Sequence, residues 1–79
     1  MILKLKADEV NLSAATNVSS ANVVRIYNKD TADHVITNSN GYSFTLPGGA
    51  ITFVDKLPTE TLTSGDANCV AVSVSYNIS

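Results

Sequence analysis

The sequence predicts an all-β fold, namely a small antiparallel β-sandwich or barrel of about six to eight short strands. Three observations indicate this class. Short apolar–polar alternations recur at roughly 8–12-residue spacing, valine and threonine, which favour pleated surfaces, are frequent, and no segment carries the period of an amphipathic helix. Because domains rarely fall below about 50 residues, we expect residues 1–79 to form a single β domain.

The clearest predicted strand is the segment NCVAVSVSYNI near the end of the chain. Period-two alternation of this length indicates a strand with one buried face. Large side chains occupy one face and small ones the other: Val70, Val72, Val74, Tyr76 and Ile78, as against Cys69, Ala71, Ser73 and Ser75. We expect the valine side to face inward, and the small side to contact solvent, a neighbouring strand or another subunit.

Two further segments are predicted to form a hairpin. GYSFTLPGG alternates in the same way, which places Tyr42, Phe44 and Leu46 on the inward face. The PGG that ends this segment is a strong turn signal, and a second alternating segment, AITFVDK, follows it. We therefore expect residues 42–55 to form a β-hairpin.

The first half of the chain is predicted to supply the remaining strands. ILKLKA alternates with Leu3 and Leu5 inward and its lysines outward. VVRIYN is a predicted strand whose facing is open, and HVITN is a short strand that the turn residues NSNG end. Before VVRIYN, the small-residue run SAATNVSS is compatible with a loop, a strand or one helical turn.

The corner DKLPTETL separates the predicted hairpin from the last strand. Pro58 lacks a backbone N–H and biases Leu57 toward an extended conformation, so a strand ending near Val54 should stop there. We expect the chain to cross to another sheet and to resume as a short extended piece at residues 61–63, with Leu62 inward.

A domain of this size needs stabilisation beyond its own core. It buries only about 60% of the surface of the unfolded chain, so its core supplies about 3–5 kcal/mol. Cys69 is the only cysteine, which excludes an internal disulfide. One histidine with one cysteine falls short of the usual four-ligand zinc site. Association with other chains remains, and we expect a homo-oligomer.

Charge and hydropathy exclude several classes of partner. The net charge is −2 and the 5 basic residues are scattered, unlike a nucleic-acid-binding surface. The apolar runs are far too short to span a membrane, and the N-terminus lacks the apolar block of a signal peptide. We expect no nucleic-acid or membrane partner, and synthesis in a cytoplasm, where a single unpaired cysteine is ordinary.

Candidate catalytic and metal-binding residues are few. His34 follows Asp30 and Asp33, but no nucleophile has an identifiable place beside it, so we interpret it as a solvated loop histidine. Cys69 has no identified base and is expected to be a small packing residue. Some carboxylates could supply oxygens to a hard cation, but their spacing matches no EF-hand loop: Asp30, Asp33, Asp55, Glu60 and Asp66. We therefore predict no catalytic residue, no cofactor, no metal site and no enzyme activity.

The order of segments along the chain resembles that of one family. LKADEVNLSAATNV is followed by VVRIYN, and LPGGAITFVDKLPTETL precedes the last valine-rich strand. With the Lys-x-Pro-Thr-x-Thr corner at residues 56–61, this order resembles small virion structural proteins of tailed phages, particularly those that infect marine bacteria. Glu60 stands where the resemblance leads us to expect aspartate.

The resemblance implies a structural function without catalytic residues. Similar proteins decorate or cement capsid surfaces or lie within the tail, so we expect a decoration or cement protein that binds the capsid lattice and neighbouring copies. Its partners would be the major capsid protein or other virion proteins, and its location the virion, after synthesis in the host cytoplasm. The interface residues we predict are Lys56, Thr59 and Glu60 at the corner and Ser73 and Ser75 on the last strand.

Two alternative functions stay open at this point. One is a carbohydrate- or host-surface-binding module, because sandwiches carry such sites on their end loops. That function calls for exposed aromatic side chains, and the chain has no tryptophan. The other is a small tail or neck component of a phage particle.

Overall fold

The computed structural model describes residues 2–77, which form eight strands. They are β1 (Ile2–Leu5), β2 (Val10–Leu12), β3 (Val23–Asn28), β4 (His34–Asn38), β5 (Ser43–Leu46), β6 (Ile51–Asp55), β7 (Leu62–Thr63) and β8 (Asp66–Asn77). No helix in this range could span a membrane. The predicted all-β class is confirmed, although β8, with 12 residues, is longer than the short strands expected.

The strands form two antiparallel sheets. In the five-stranded sheet the order is β1-β8-β3-β6, and β2 also pairs with β8, beyond the end of β1. In the three-stranded sheet the order is β5-β4-β7. β8 is therefore the central strand of the larger sheet, with three strands hydrogen-bonded to it.

The core lies between the two sheets. The larger sheet contributes Leu12, Val24, Ile26, Cys69 and Ala71, and the smaller sheet contributes Ile36, Leu46 and Leu62. β3 alternates between half-buried and buried residues along its length, so its facing, left open by the sequence, has Val24 and Ile26 inward. Burial of these apolar side chains is the main stabilising contribution to a fold of this kind.

The expected facing of β8 is wrong. Cys69 and Ala71 belong to the core, whereas Val70, Val72 and Val74 lie on the opposite face of the sheet. Both sets are buried. The core covers Cys69 and Ala71, and side chains of the flanking strands cover the valines from both sides. Alternation could therefore not tell the two faces apart. The facing expected for Ile78, and for the side chains of Leu3 and Tyr76, lies outside the part of the chain that is described.

Four other residues predicted to point inward differ in outcome. Leu46 is buried in the core, as expected. Leu5 is 67% exposed and Tyr42 is 76% exposed, so both expectations are wrong. Phe44 is 38% exposed, so the expectation for it is wrong as well. β1 and β5 are edge strands, and an edge strand leaves large side chains with few neighbours to cover them.

The predicted hairpin at residues 42–55 is also wrong. β5 pairs with β4, and β6 pairs with β3 in the other sheet. The turn between them carries the chain across the core instead of reversing it within one sheet. Asn28 fixes this crossing: its N–H donates to Ala50 O at 3.1 Å, and its C=O accepts from Gly49 N at 2.8 Å.

The second crossing, at Pro58, is confirmed. β6 ends at Asp55 in the larger sheet, and β7 resumes in the smaller sheet with Leu62 buried. Glu60 closes the corner: its carboxylate accepts from Leu57 N at 2.7 Å, and its own N–H donates to Leu57 O at 3.0 Å. The corner is therefore a turn closed by local hydrogen bonds.

The segment that the sequence left open forms a left-handed turn. Val18, Ser19 and Ser20 have φ values of 53°, 59° and 57°. Left-handed backbone costs an L-residue about 1–2 kcal/mol, and a β-branched residue is rarely found there. Val18 is fully buried in the core, so its burial holds the turn in place.

Substitution of Gly48 tests how tightly the first crossing is packed. A Cβ atom at Gly48 would collide with the backbone oxygen of Thr31, so the backbone itself must shift. We expect Gly48→Asn to lower the free energy of unfolding by about 3 kcal/mol, the upper part of the range for overpacking. Gly49→Asn is the matched control, because φ is +77° there, nothing lies within 4 Å and asparagine tolerates this conformation. Urea denaturation measures both, and equal losses would contradict the close approach at Gly48.

Candidate functional site

Three titratable side chains from both sheets meet at one end of the sandwich. Asp30 lies in the turn between β3 and β4, His34 is the first residue of β4, and Asp66 is the first residue of β8. His34 Nε2 lies 3.0 Å from Asp30 Oδ2 and 3.5 Å from Asp66 Oδ2. The side chain of His34 is 17% exposed, that of Asp30 is 30% exposed and that of Asp66 is 33% exposed. The interpretation of His34 as a solvated loop residue is therefore wrong, and we call this group the Asp–His–Asp cluster.

The buried Asn28 side chain positions Asp30. Its Nδ2 donates to Ala32 O at 2.9 Å and to Leu46 O at 3.0 Å, while its Oδ1 accepts from Asp30 N at 3.0 Å. Asp30 Oδ1 then accepts from Thr31 N at 2.7 Å. One carboxylate oxygen of Asp30 is thus used within the turn. The other faces His34 and also accepts from Asn68 Nδ2 at 3.4 Å.

Asp66 is held in the same way. Its Oδ1 accepts from Asn68 N at 2.7 Å, and its own N–H donates to Ser64 Oγ at 3.1 Å. Its Oδ2 is the atom that faces His34. Each carboxylate therefore uses one oxygen to order its own loop and presents the other to the imidazole.

The pKa of Asp30 reflects this arrangement. The hydrogen bond with His34 is the largest cause that lowers the pKa of the Asp30 carboxyl below its usual value, and the Thr31 N–H adds to it. Hydrogen bonds to a carboxylate favour its charged form. Asp30 therefore stays ionised to lower pH than an ordinary aspartate.

Cys69 is a packing residue, as predicted. Its side chain is fully buried in the core. Burial raises the pKa of the Cys69 thiol, the nearby Asp66 and Asp30 charges raise it further, and the Ser64 hydrogen bond lowers it only in part. A thiol held in its protonated form is a poor nucleophile.

The predicted interface residues lie in two environments. At the corner, Thr59 is exposed, while Glu60 Oε2 accepts from Asn40 Nδ2 at 2.6 Å. Burial lowers the pKa of Lys56, although the Glu60 charge opposes this. Ser73, in contrast, is 5% exposed and Ser75 is half-buried, and both line a cavity of about 340 Å³ beside the left-handed turn. Ser73 is thus covered by its own chain, so we do not retain it as an interface residue.

A large apolar surface covers the side of the five-stranded sheet that faces away from the core. Strand register places the following side chains on it: Leu5, Val23, Arg25, Tyr27, Ile51, Phe53, Asp55, Val70, Val72 and Val74. The valines of β8 form its buried floor, while Leu5, Ile51 and Phe53 are exposed. We call this surface the valine face. Sequence reasoning missed it because it assigned the valines to the core.

Fold and surfaces together define a small all-β sandwich with one uncovered apolar sheet face and one Asp–His–Asp cluster. Comparisons of the chain with protein-family models, with curated proteins and with solved structures find no match. The function of the protein is therefore inferred from its fold and from the exposed residues described above.

Proposed function

We propose that the protein is a virion structural protein of the decoration or cement type. It is made in the host cytoplasm, docks on the major capsid protein or another virion protein, and contacts neighbouring copies of itself. The observation that supports this proposal is the valine face. The valine face favours docking through its apolar character, its area and its charge.

The apolar character of the valine face favours docking on another protein. Leu5 in β1 and Ile51 and Phe53 in β6 lie in the two outer strands of one sheet, with the buried valines of β8 between them. Monomeric soluble proteins rarely expose contiguous apolar patches larger than a few hundred Å². A surface of this kind gains free energy when another protein covers it.

The size of the valine face suits a contact that is repeated many times. Its β8 members run from Val70 to Val74, which is about 16 Å at about 3.3 Å per residue. Four strands side by side, spaced by about 4.8 Å, give a width of about 19 Å. The product, about 300 Å², is comparable to the largest apolar patch of a typical monomer, which is often functional. It is below the ~800 Å² that each partner contributes to a standard interface, so stable attachment would depend on contacts repeated over many copies.

The charge of the valine face favours a neutral partner surface. Arg25 and Asp55 are its charged members, and their charges cancel. Depletion of charge is typical of the buried centre of an interface. Repetition of such a contact over a symmetric shell stabilises the shell by mass action, because the subunit binds only the assembled form.

A non-enzymatic function is part of the proposal. Catalysis of group transfer at the Asp–His–Asp cluster would need a nucleophile beside the imidazole. Cys69 lies close enough for the charges of Asp30 and Asp66 to raise the pKa of its thiol. This thiol is buried, however, so it does not supply the nucleophile. We therefore assign the protein a structural function.

Substitution of Ile51 tests the proposal. Ile51 on the valine face and Val35 in β4 of the other sheet are both 50% exposed, so either should accept glutamate without unfolding. We expect Ile51→Glu to lower the amount of protein that co-sediments with purified phage particles at least about tenfold, a loss of about 1.4 kcal/mol. Val35→Glu, the matched control, should leave co-sedimentation unchanged.

Thermal melts of both free variants show whether each is folded. Failure of the wild-type chain to co-sediment with particles would refute the virion assignment. Equal attachment of folded Ile51→Glu and wild type would show that the valine face is not the docking surface.

A carbohydrate-binding function is the second candidate, supported by Tyr42. This side chain is 76% exposed and, with Phe44, borders a cavity of about 120 Å³. An aromatic ring with a polar tip is suited to binding at a wet surface. Binding of the purified protein to a glycan array, lost in Tyr42→Ala, would support this candidate, and an array without hits would reject it.

A further inference from the structure

We propose that Asp30, His34 and Asp66 bind one divalent transition-metal ion of the zinc class, which fastens the two sheets together at this end of the sandwich. This site is independent of the proposed virion function. It depends on four features of the cluster: its distances, its donor atoms, its charge and its position in the fold.

The distances match those between ligands that share a metal ion. One donor atom from each residue, His34 Nε2 and a carboxylate oxygen from Asp30 and Asp66, lies within 4.8 Å of the other two. Zinc binds imidazole nitrogen and carboxylate oxygen at about 2.0–2.2 Å, so tetrahedral ligands lie about 3.3–3.6 Å apart. The 3.5 Å from His34 Nε2 to Asp66 Oδ2 lies within that range. The 3.0 Å to Asp30 Oδ2 is a hydrogen-bond distance, and it would lengthen by about 0.3 Å when an ion is bound.

The imidazole faces both carboxylates through a single atom. His34 Nε2 makes the contact with Asp30 Oδ2 and also the contact with Asp66 Oδ2. A protonated Nε2 has only one N–H, which points in one direction and serves one acceptor well. A metal ion placed among the three atoms would instead contact all of them, with the Nε2 lone pair directed at the ion.

The donor set selects the kind of ion. Carboxylate oxygens alone would suit magnesium or calcium, whereas imidazole suits zinc, copper, iron and nickel. Two carboxylates supply two negative charges, which a divalent ion neutralises. The three side chains are partly exposed, so water can occupy the remaining coordination position.

The position of the cluster gives the ion a structural consequence. Asp66 begins the central strand of the larger sheet, and His34 begins the central strand of the smaller one. An ion bound to both joins the sheets directly, in a chain that cannot form an internal disulfide. Small domains commonly depend on such a cross-link, and metal binding then contributes to the stability of the fold.

Zinc titration of the untagged wild-type protein is the first test. His34 is the only histidine, so every histidine ring signal in an NMR spectrum belongs to it. We expect zinc to shift the Nε2 resonance with a stoichiometry of one ion per chain, measured by calorimetry. At zinc concentrations about a hundredfold above Kd, the Tm should rise by about 10 °C or more. Calcium at the same concentration should leave the ring signal and the Tm unchanged.

Two isosteric variants form the second test. Asp66→Asn keeps the Oδ1 acceptor that Asn68 N requires but removes the negative charge at the other atom. We expect its zinc affinity to fall at least about tenfold. Asp33→Asn is the matched control. It removes one charge from the turn that carries Asp30, keeps the acceptor for Gly48 N and lies outside the cluster. The zinc affinity of this variant should therefore equal that of wild type.

Three results would overturn the site. They are a wild-type His34 ring signal that zinc does not move, a calcium effect equal to that of zinc, and equal losses of affinity in Asp33→Asn and Asp66→Asn. The last would mean that zinc is attracted by the general negative charge of this end of the sandwich. The NMR titration uses only the wild-type chain, so it decides the matter even if Asp66→Asn does not fold.

Discussion

Asn28→Leu is expected to unfold the protein under ordinary conditions. The Asn28 side chain is fully buried and makes three hydrogen bonds, to Ala32 O, Leu46 O and Asp30 N. Leucine has a similar volume but leaves these backbone groups without their partner, at about 1–3 kcal/mol for each buried group. A total loss of about 4 kcal/mol is comparable to the whole stability of a domain this size.

Far-ultraviolet circular dichroism and urea denaturation measure the effect. Asn22→Leu serves as the control, because Asn22 is exposed just before β3. A change of such a surface residue should alter the free energy of unfolding by about 0.5 kcal/mol or less. If Asn28→Leu were as stable as Asn22→Leu, the role assigned to the Asn28 side chain in holding Ala32, Leu46 and Asp30 would be wrong.

Ala71→Asp is expected to be more damaging than Val72→Asp, although alanine is the smaller residue to replace. Ala71 is fully buried in the core, where an unpaired carboxylate costs several kcal/mol. Val72 lies on the valine face with Arg25 directly opposite on β3, so a carboxylate there gains a cationic neighbour. We expect Ala71→Asp to be unfolded and Val72→Asp to lose about 1–3 kcal/mol of stability.

Comparison of the soluble yield and the urea midpoint of these two variants decides the facing of β8. Ala71→Ser is a useful reference, because it adds a polar atom at the same position without a charge. Greater damage from Val72→Asp than from Ala71→Asp would place the valines in the core after all, and it would remove the valine face as a docking surface.

Sequence pattern predicted the strands well and their facing poorly. Alternation shows which residues share a face, and it located β3, β4, β6 and the resumption at Leu62. It does not show which face a second sheet covers. In β8 the small side chains of Cys69 and Ala71 face the core because larger residues from the other strands fill it, including Leu12, Ile26 and Ile36.

Turn signals predicted where the chain changes direction but not which strands pair. PGG marked a change of direction correctly, but whether the next strand pairs with the last depends on distant partners, here β4 for β5 and β3 for β6. Pro58 was more informative, because the loss of a ladder hydrogen bond and the restriction on Leu57 are local effects.

The Asp–His–Asp cluster could be predicted only in part. Asp30 and His34 are close in sequence, and their juxtaposition across a polar turn was visible. Asp66 joins them because β4 and β8 begin at the same end of the sandwich, which only the pairing of strands determines. The same limitation hid the valine face, since its members come from four strands far apart in sequence.

The place of β8 in the chain has a consequence for how the protein is made. β1, β2 and β3 all hydrogen-bond to β8, yet β8 follows every other described strand. During translation the larger sheet therefore cannot form until its central strand has been synthesised. Residues up to Asn77 must leave the ribosome before β1, β2 and β3 can all pair with β8. Until then the early strands expose unpaired edges, and such non-local pairing folds slowly and is prone to aggregate. Each new chain is consequently a partly folded species until β8 has been released.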